Sequence, residues 1–312
     1  MDTVKQLQKE IRRLARDQDA IILVHNYQLP EIQEIADYIG DSLGLCMQAQ
    51  KIEHKVILFC GVYFMAETAA ILNPTKRVLI PDPAAKCPMA AQLPANLVRE
   101  AKERYPGIPV VLYVNTTAEA KAEADVMCTS SNLCLVLERL NSKTVIFGPD
   151  GNMADYARYV CGKEVIPIPD HGFCHVHVTF TFDPKIHQLL KEHPKAKLLA
   201  HPECDWDLQK KADFIGSTGQ MIKYVKESTA KSFIIATEVD LVSRLRREIP
   251  EKTFLPALDY AVCRSMKKIT LTKLKTSLEE NQYIVTIPES IAKRAHKAIQ
   301  RMFDLTQDSK EK

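Results

Sequence analysis

No apolar run in this 312-residue sequence approaches the roughly 20 residues that a membrane-spanning helix needs, so no membrane association is expected. The first residues interleave charged and aliphatic side chains and lack the apolar core of a signal peptide, which predicts a cytoplasmic protein. A block of one charge sign is missing too. The formal net charge is +3, with lysines and arginines interspersed among acids, and this excludes the concentrated basic surface that nucleic-acid binding uses. Among nine cysteines there is no Cys-x-x-Cys pair. In a reducing compartment such an odd set predicts thiols or metal ligands, not disulfides, with most of them packed as small core residues. What is present is ordinary globular material, 46% hydrophobic and 26% charged, long enough for two or three units with their own cores.

Strand and helix signals alternate along the chain. Val4, Leu7, Ile11 and Leu14 mark an amphipathic helix, and Ile21-Ile22-Leu23-Val24 reads as a buried strand that stops at His25-Asn26-Tyr27. Pro30 opens a helix through Ala36-Asp37. Gly40-Asp41-Ser42 breaks it, and another helix runs from Leu43 to about Ile52. The strand Val56–Phe59, a helix from Phe64 to Leu72 and the strand Val78–Ile80 follow, shortly before Cys87. This alternation predicts parallel sheets.

About 88 residues further on the pattern returns. Val110-Val111-Leu112 ends at Tyr113-Val114-Asn115, Ala36-Asp37 becomes Ala124-Asp125, and the polar break becomes Cys128-Thr129-Ser130. After the same interval Leu198-Leu199-Ala200 ends at His201-Pro202-Glu203, followed by Ala212-Asp213 and Gly216-Ser217-Thr218. Cys87, Cys174 and Cys263 keep the period, 87 and 89 residues apart. Generic α/β alternation would supply the strands and helices but not matching cysteines and Ala-Asp pairs. The expected fold class is therefore α/β: three homologous Rossmann-like, three-layer units with parallel sheets around a pseudo-threefold axis. Their expected bounds are 1–90, 91–178 and 179–266. Residues 267–312 form an extension, with a strand at Tyr283–Ile287, a helix from Pro288 to Met302 and a frayed tail from Gln307 to Lys312.

In parallel sheets ligands bind beyond the carboxyl ends of the strands, where the three polar tripeptides fall. Helix starts at Ser42, Ser130 and Ser217-Thr218 offer free N–H groups and positive dipole ends, which suits a substrate with several anionic groups, although each hydroxyl alone is equally well explained as an N-cap. Three periodic thiolates make an incomplete tetrahedral set, and spacing alone divides evenly between a zinc site with one open position and a [4Fe–4S] cluster with one iron lacking a protein ligand. His171, His175 and His177 flank Cys174 without counterparts in the other copies, so they are expected at the surface or behind the ligands. Cys46, Cys60, Cys128, Cys134, Cys161 and Cys204 are read as packing, and Phe64 and Met65 beside Glu67 as core.

The sequence resembles the quinolinate synthase family over about residues 20–266. The resemblance is carried by His25-Asn26-Tyr27-Gln28, Gly40-Asp41-Ser42-Leu43, Phe64-Met65-Ala66-Glu67, Cys87-Pro88-Met89-Ala90 and Tyr113-Val114-Asn115-Thr116. Cys128-Thr129-Ser130-Ser131-Asn132, Gly172-Phe173-Cys174 with His177, His201-Pro202-Glu203-Cys204, Gly216-Ser217-Thr218, Thr237-Glu238 and Cys263 with Met266 extend it. The chain departs from the family pattern at Pro169-Asp170-His171 and His175-Val176, on either side of that second cysteine.

The resemblance implies a [4Fe–4S] cluster held by Cys87, Cys174 and Cys263, the open iron acting as a Lewis acid. It implies condensation of iminoaspartate with dihydroxyacetone phosphate to quinolinate, with loss of phosphate and two waters. An enzyme that oxidises L-aspartate would supply the first substrate. His25, Ser42, Tyr113, Asn115, Ser130, His201, Glu203, Ser217 and Thr218 would bind substrate. Tyr27 and Glu203 are candidates for acid/base work, and Tyr113 and His201 for orienting or shuttling protons. Two other readings compete: another three-thiolate Fe–S hydro-lyase, and a non-catalytic Fe–S sensor.

Overall fold

Short aliphatic runs buried on both faces become parallel strands covered by helices, as their near-continuous hydrophobicity requires. The computed structural model describes residues 2–181 and 184–307. The first sheet contains β1 (Ala20–His25), β2 (Tyr38–Gly40), β3 (Val56–Cys60) and β4 (Arg77–Leu79), ordered β2-β1-β3-β4. The second contains β5 (Val110–Tyr113), β6 (Val126–Cys128), β7 (Thr144–Gly148) and β8 (Glu164–Pro167), and the third β9 (Lys197–Ala200), β10 (Phe214–Ile215), β11 (Ser232–Ala236) and β12 (Thr253–Pro256). Their orders, β6-β5-β7-β8 and β10-β9-β11-β12, repeat the first, and every pairing is parallel. The expected α/β class with three Rossmann-like sheets is observed.

The repeated Ala-Asp has a structural cause. Asp37 Oδ2 accepts from the backbone N–H of Ile22, Asp125 Oδ2 from Val110 and Asp213 Oδ2 from Leu198, each at 2.8 Å. The backbone N–H of each aspartate returns a bond to the carbonyl of the same strand residue. This reciprocal clasp satisfies polar groups at the start of the inner strand and launches the edge strand that follows. The helix expected from Pro30 through Asp37 accordingly stops at Gln33, and β2 takes over. The edge strands β2, β6 and β10 were not expected: they are two or three residues long, too short for a periodic signal.

By packing, the described residues form two compact units, one within 1–87 and 263–289 and the other within 88–262 and 290–312. The first unit holds the sheet β1–β4. In it Tyr283–Ile287 falls short of the expected strand. A single antiparallel bridge joins Leu79 and Ile284, flanked by backbone bonds between Ile80 and Tyr283 and between Val78 and Val285. The second unit holds the other two sheets and the terminal helix Glu289–Gln307 from Ser290 onward. Apart from Gln307, the expected tail lies outside the described residues.

One expectation about cysteine is overturned. Cys134, in the helix Leu133–Arg139, and Cys161, just beyond the helix Gly151–Tyr159, have Cα atoms 4.9 Å apart and form a disulfide. Spacing concealed it because two helices packed on one another bring the pair together across 27 residues. Cys46, Cys60, Cys128 and Cys204 are buried, as a packing role requires, and burial pushes the thiols of Cys60, Cys128 and Cys204 far up from their ordinary value. Phe64 and Met65 are core residues of the helix Tyr63–Leu72.

Candidate active site

Each inner strand delivers its polar tripeptide at its carboxyl end, and one buried side chain holds each of those loops. Gln33 Nε2 donates to the carbonyls of Asn26 (3.0 Å) and Gln28 (2.8 Å), and Gln209 Nε2 to those of Pro202 (2.9 Å) and Cys204 (2.6 Å). At the same place in the middle copy stands Lys121, fully buried, its ammonium donating to the carbonyl of Thr116. Sequence reasoning missed these three anchors. They keep the 88-residue period, but the change from Gln to Lys and back hid them.

The strand-end histidines fold their loops alike. The N–H of Tyr27 donates to His25 Nδ1 at 3.2 Å, and the N–H of Glu203 donates to His201 Nδ1 at 3.3 Å. In the second unit this turn places the Glu203 carboxylate in a buried network. Tyr113 Oη donates to Oε1 at 2.7 Å, and Asn115 Nδ2 stands 3.5 Å from the same oxygen. His177 Nδ1 lies 2.8 Å from Oε2, and the rings of His177 and His201 stack with centroids 4.6 Å apart. Asn152 Nδ2 donates to the Glu203 carbonyl at 2.9 Å. Burial by itself would raise the pKa of Glu203. The charges of His177 and His201, with hydrogen bonds from His177 and Tyr113, overcome it and hold the carboxyl well below its ordinary value. Glu203 is therefore an ionised acceptor, and Tyr113 a phenol polarised by it. Asn115 Oδ1 is buried with no hydrogen-bond partner among the described residues.

Cys174 joins this network. His177 Nδ1 is 3.2 Å from Cys174 Sγ, and His177 Nε2 is 2.8 Å from Thr237 Oγ1. His171 and His175 are exposed and His177, 1% exposed, stands behind Cys174, so the three histidines divide between the surface and the place behind the proposed ligand that were expected of them. The sign of His177 in the sequence was the three-residue spacing from Cys174. Asp150 and Thr237 were also unassigned. Asp150 caps the helix Gly151–Tyr159 through the N–H of Met153 at 2.8 Å and accepts from the N–H of Cys174 at 3.1 Å. Burial first, then the nearby Glu203 charge, pushes the Asp150 carboxyl well up. Gly172 permits this crossing: a Cβ there would stand 1.8 Å from the Pro149 carbonyl oxygen.

The first unit places the other site candidates. Tyr27 packs edge-on against the buried His25, centroids 4.7 Å apart, and the Lys267 ammonium donates to the Tyr27 carbonyl. Ser265 Oγ donates to the Lys86 carbonyl at 2.7 Å, and Lys268 Nζ to the Ala84 carbonyl at 2.8 Å. These bonds tie the segment that follows Cys263 to the loop that leads into Cys87.

The helix starts differ in detail from expectation. Ser42 is the first residue of the helix Ser42–Gln50, but Asp41 caps it, accepting from the N–H of Gly44 at 2.8 Å. Ser217 caps the helix Thr218–Glu227 in a capping box with Gln220, and Thr218 is its first residue. No helix begins at Ser130. The turn Thr129–Asn132 closes on Asn132 Oδ1, and the helix starts at Leu133. Ser131 Oγ meets Ser217 Oγ at 2.6 Å.

Comparison with known proteins gives the family of the chain. A profile of the family described as quinolinate synthetase A protein matches residues 9–304. The chain is 52% identical over 305 residues to the quinolinate synthase of Methanothermobacter thermautotrophicus, covering 97% of this chain and 100% of that protein. It is 50% identical over 306 residues to the quinolinate synthase of Pyrococcus furiosus, covering 98% and 100% respectively. The corresponding figures for Thermotoga maritima are 46% over 296 residues, covering 95% and 98%. From a profile match over almost its full length and relatives this similar, the chain belongs to the quinolinate synthase family.

Proposed function

We propose that this chain condenses iminoaspartate with dihydroxyacetone phosphate, releasing phosphate and two waters to form quinolinate, with a [4Fe–4S] cluster on Cys87, Cys174 and Cys263. In this reading three copies, 1–90, 91–178 and 179–266, each contribute one cysteine and one strand-end loop, and 267–312 is an extension. The protein would work in the cytoplasm, supplied by an enzyme that oxidises L-aspartate.

The observation that carries the proposal is the buried Tyr113–Glu203–His177 network with the unsatisfied Asn115 Oδ1 beside it. An orphaned buried acceptor is costly unless a ligand N–H or O–H reaches it, about 1–3 kcal/mol. The cysteines fit the cluster. Of the seven outside the disulfide, Cys87, Cys174 and Cys263 are partly exposed and the other four buried, which is the division that a ligand set and a packing set require. Held by three thiolates, the cluster would supply a Lewis acid for a substrate oxygen.

The remaining chemistry belongs to the side chains. Tyr27 and Glu203 take the acid/base steps that enolisation, imine formation and dehydration demand, and Tyr113 and His201 orient or shuttle those protons. His25, Ser42, Asn115, Ser130, Ser217 and Thr218 hold the phosphate and carboxylates. The test is anaerobic. The purified protein should be brown with about four irons per chain, and Ala at any one of the three cysteines should abolish both colour and product. Colour that survives in Cys174→Ala overturns the cluster assignment, and no quinolinate from a fully loaded protein overturns the reaction.

A further inference from the structure

Cys174 Sγ, a ring nitrogen of His177 and a carboxylate oxygen of Glu203 lie within 4.8 Å of one another, all in the second unit. His177 Nδ1 is 3.2 Å from the sulfur and 2.8 Å from Oε2. Its Nε2 turns the other way, onto the fully buried hydroxyl of Thr237 at 2.8 Å. Metal-ligating histidines give their second ring nitrogen such a partner, which fixes the ring and its tautomer. Tyr113 occupies Oε1 and thereby aims Oε2 at the imidazole.

We propose that the chain without a cluster binds one divalent transition-metal ion, of the zinc or ferrous class, on Cys174 Sγ, His177 Nδ1 and Glu203 Oε2. Thiolate, imidazole and carboxylate are the donors such ions take, and three protein ligands leave a fourth position open. Zinc bond lengths in a tetrahedral site set S···N at about 3.6 Å and N···O at about 3.4 Å, so those two pairs must spread by about 0.4 and 0.6 Å, while the sulfur and the carboxylate oxygen, within 4.8 Å of each other, must close toward about 3.6 Å. Nδ1 and Oε2, facing each other at 2.8 Å, need a proton or a cation between them, and the ion supplies the second. The site shares one sulfur with the proposed cluster and needs neither Cys87 nor Cys263. Insofar as the cluster reading holds, the two occupants exclude each other.

The test uses the full-length chain, prepared anaerobically, stripped with a chelator in a non-thiol reductant and titrated with Co²⁺ as the probe. About one equivalent should produce a sulfur-to-cobalt charge-transfer band with the strong visible bands of a tetrahedral ion, and Zn²⁺ should bleach both. The double variant Cys87→Ala/Cys263→Ala should bind as the wild type does. His177→Gln and Glu203→Gln should weaken binding at least about tenfold, and Thr237→Val, which keeps every ligand, by about 10–100-fold. Circular dichroism identifies any variant that fails to fold, and Thr237→Val then decides. No charge-transfer band, a band lost in the double variant, or Co²⁺ affinity unchanged in a folded Thr237→Val or His177→Gln protein overturns the proposal. Because no cluster is present in the assay, its failure is separate from failure of the proposed reaction.

Discussion

Glu203 shows how a single side chain is tuned by its neighbours. Its burial is nearly complete, which disfavours charge, yet two histidines and a phenol favour charge more strongly. Its folded pKa thus lies below the ordinary 4.5, and the unfolded chain takes up the proton first as pH falls. The stability contributed by the ionised carboxylate is complete above that ordinary value and is lost as pH drops through the lower folded one. Glu203→Gln should flatten this acid limb in thermal melts recorded against pH, and should slow quinolinate formation by about 10²–10⁴-fold if the carboxylate moves the proton. Asp150 runs the other way. Its raised pKa contributes stability that is present below 3.8 and fades as pH rises through the folded value. Two buried carboxyls so close cannot both be charged cheaply, and the histidines decide which one is.

At the scale of the element, the unit of design is a strand whose two ends are each held by one side chain. The clasping aspartate starts the inner strand, and the anchor at Gln33, Lys121 or Gln209 fixes the loop at its far end. The repeat contains its own control experiment, because two copies do with an amide what the middle copy does with an ammonium. Lys121→Gln should leave the thermal midpoint nearly unchanged, whereas Lys121→Met strips the loop carbonyl of its donor and should cost about 1–3 kcal/mol, read as a lower denaturation midpoint. An equal loss in both variants would show that the charge itself is what the loop needs. Helix capping is less regular than the strands. Asp41 and Ser217 cap directly, while the middle copy closes a turn on Asn132 and delays its helix to Leu133.

At the scale of the molecule, the three sheets share one strand order, and the disulfide breaks their sameness. In the middle copy alone it ties the helix Leu133–Arg139 to Cys161, just beyond the helix Gly151–Tyr159. Closing a loop of 27 residues in the unfolded chain is worth about 3–4 kcal/mol in the chain-entropy model. A strong reductant should therefore lower the melting temperature of the wild type and leave that of Cys134→Ser/Cys161→Ser unmoved. Alkylation followed by intact mass under non-reducing conditions checks the bond itself. Should both proteins respond equally to reductant, the stabilisation lies elsewhere. Among the described residues no helix is long and apolar enough to cross a membrane.

From the sequence alone came the α/β class, the period of about 88 residues, the inner strands with the polar groups at their ends, and the three cysteines that share the period. These are legible because burial on two faces demands continuous apolar runs, and because a repeated unit writes its geometry three times. Only the tertiary structure decided that His177 and Glu203 meet beside Cys174, that Asp150 reaches its N–H, and that Cys134 and Cys161 join. Each of these contacts closes a gap of many residues except that of Cys174 with His177, and periodicity carries no information about which side chains two packed elements bring face to face. The stretch around Cys174 holds both kinds of knowledge. Its cysteine was marked by spacing, and its histidine by the hydrogen bonds and burial that only folding supplies.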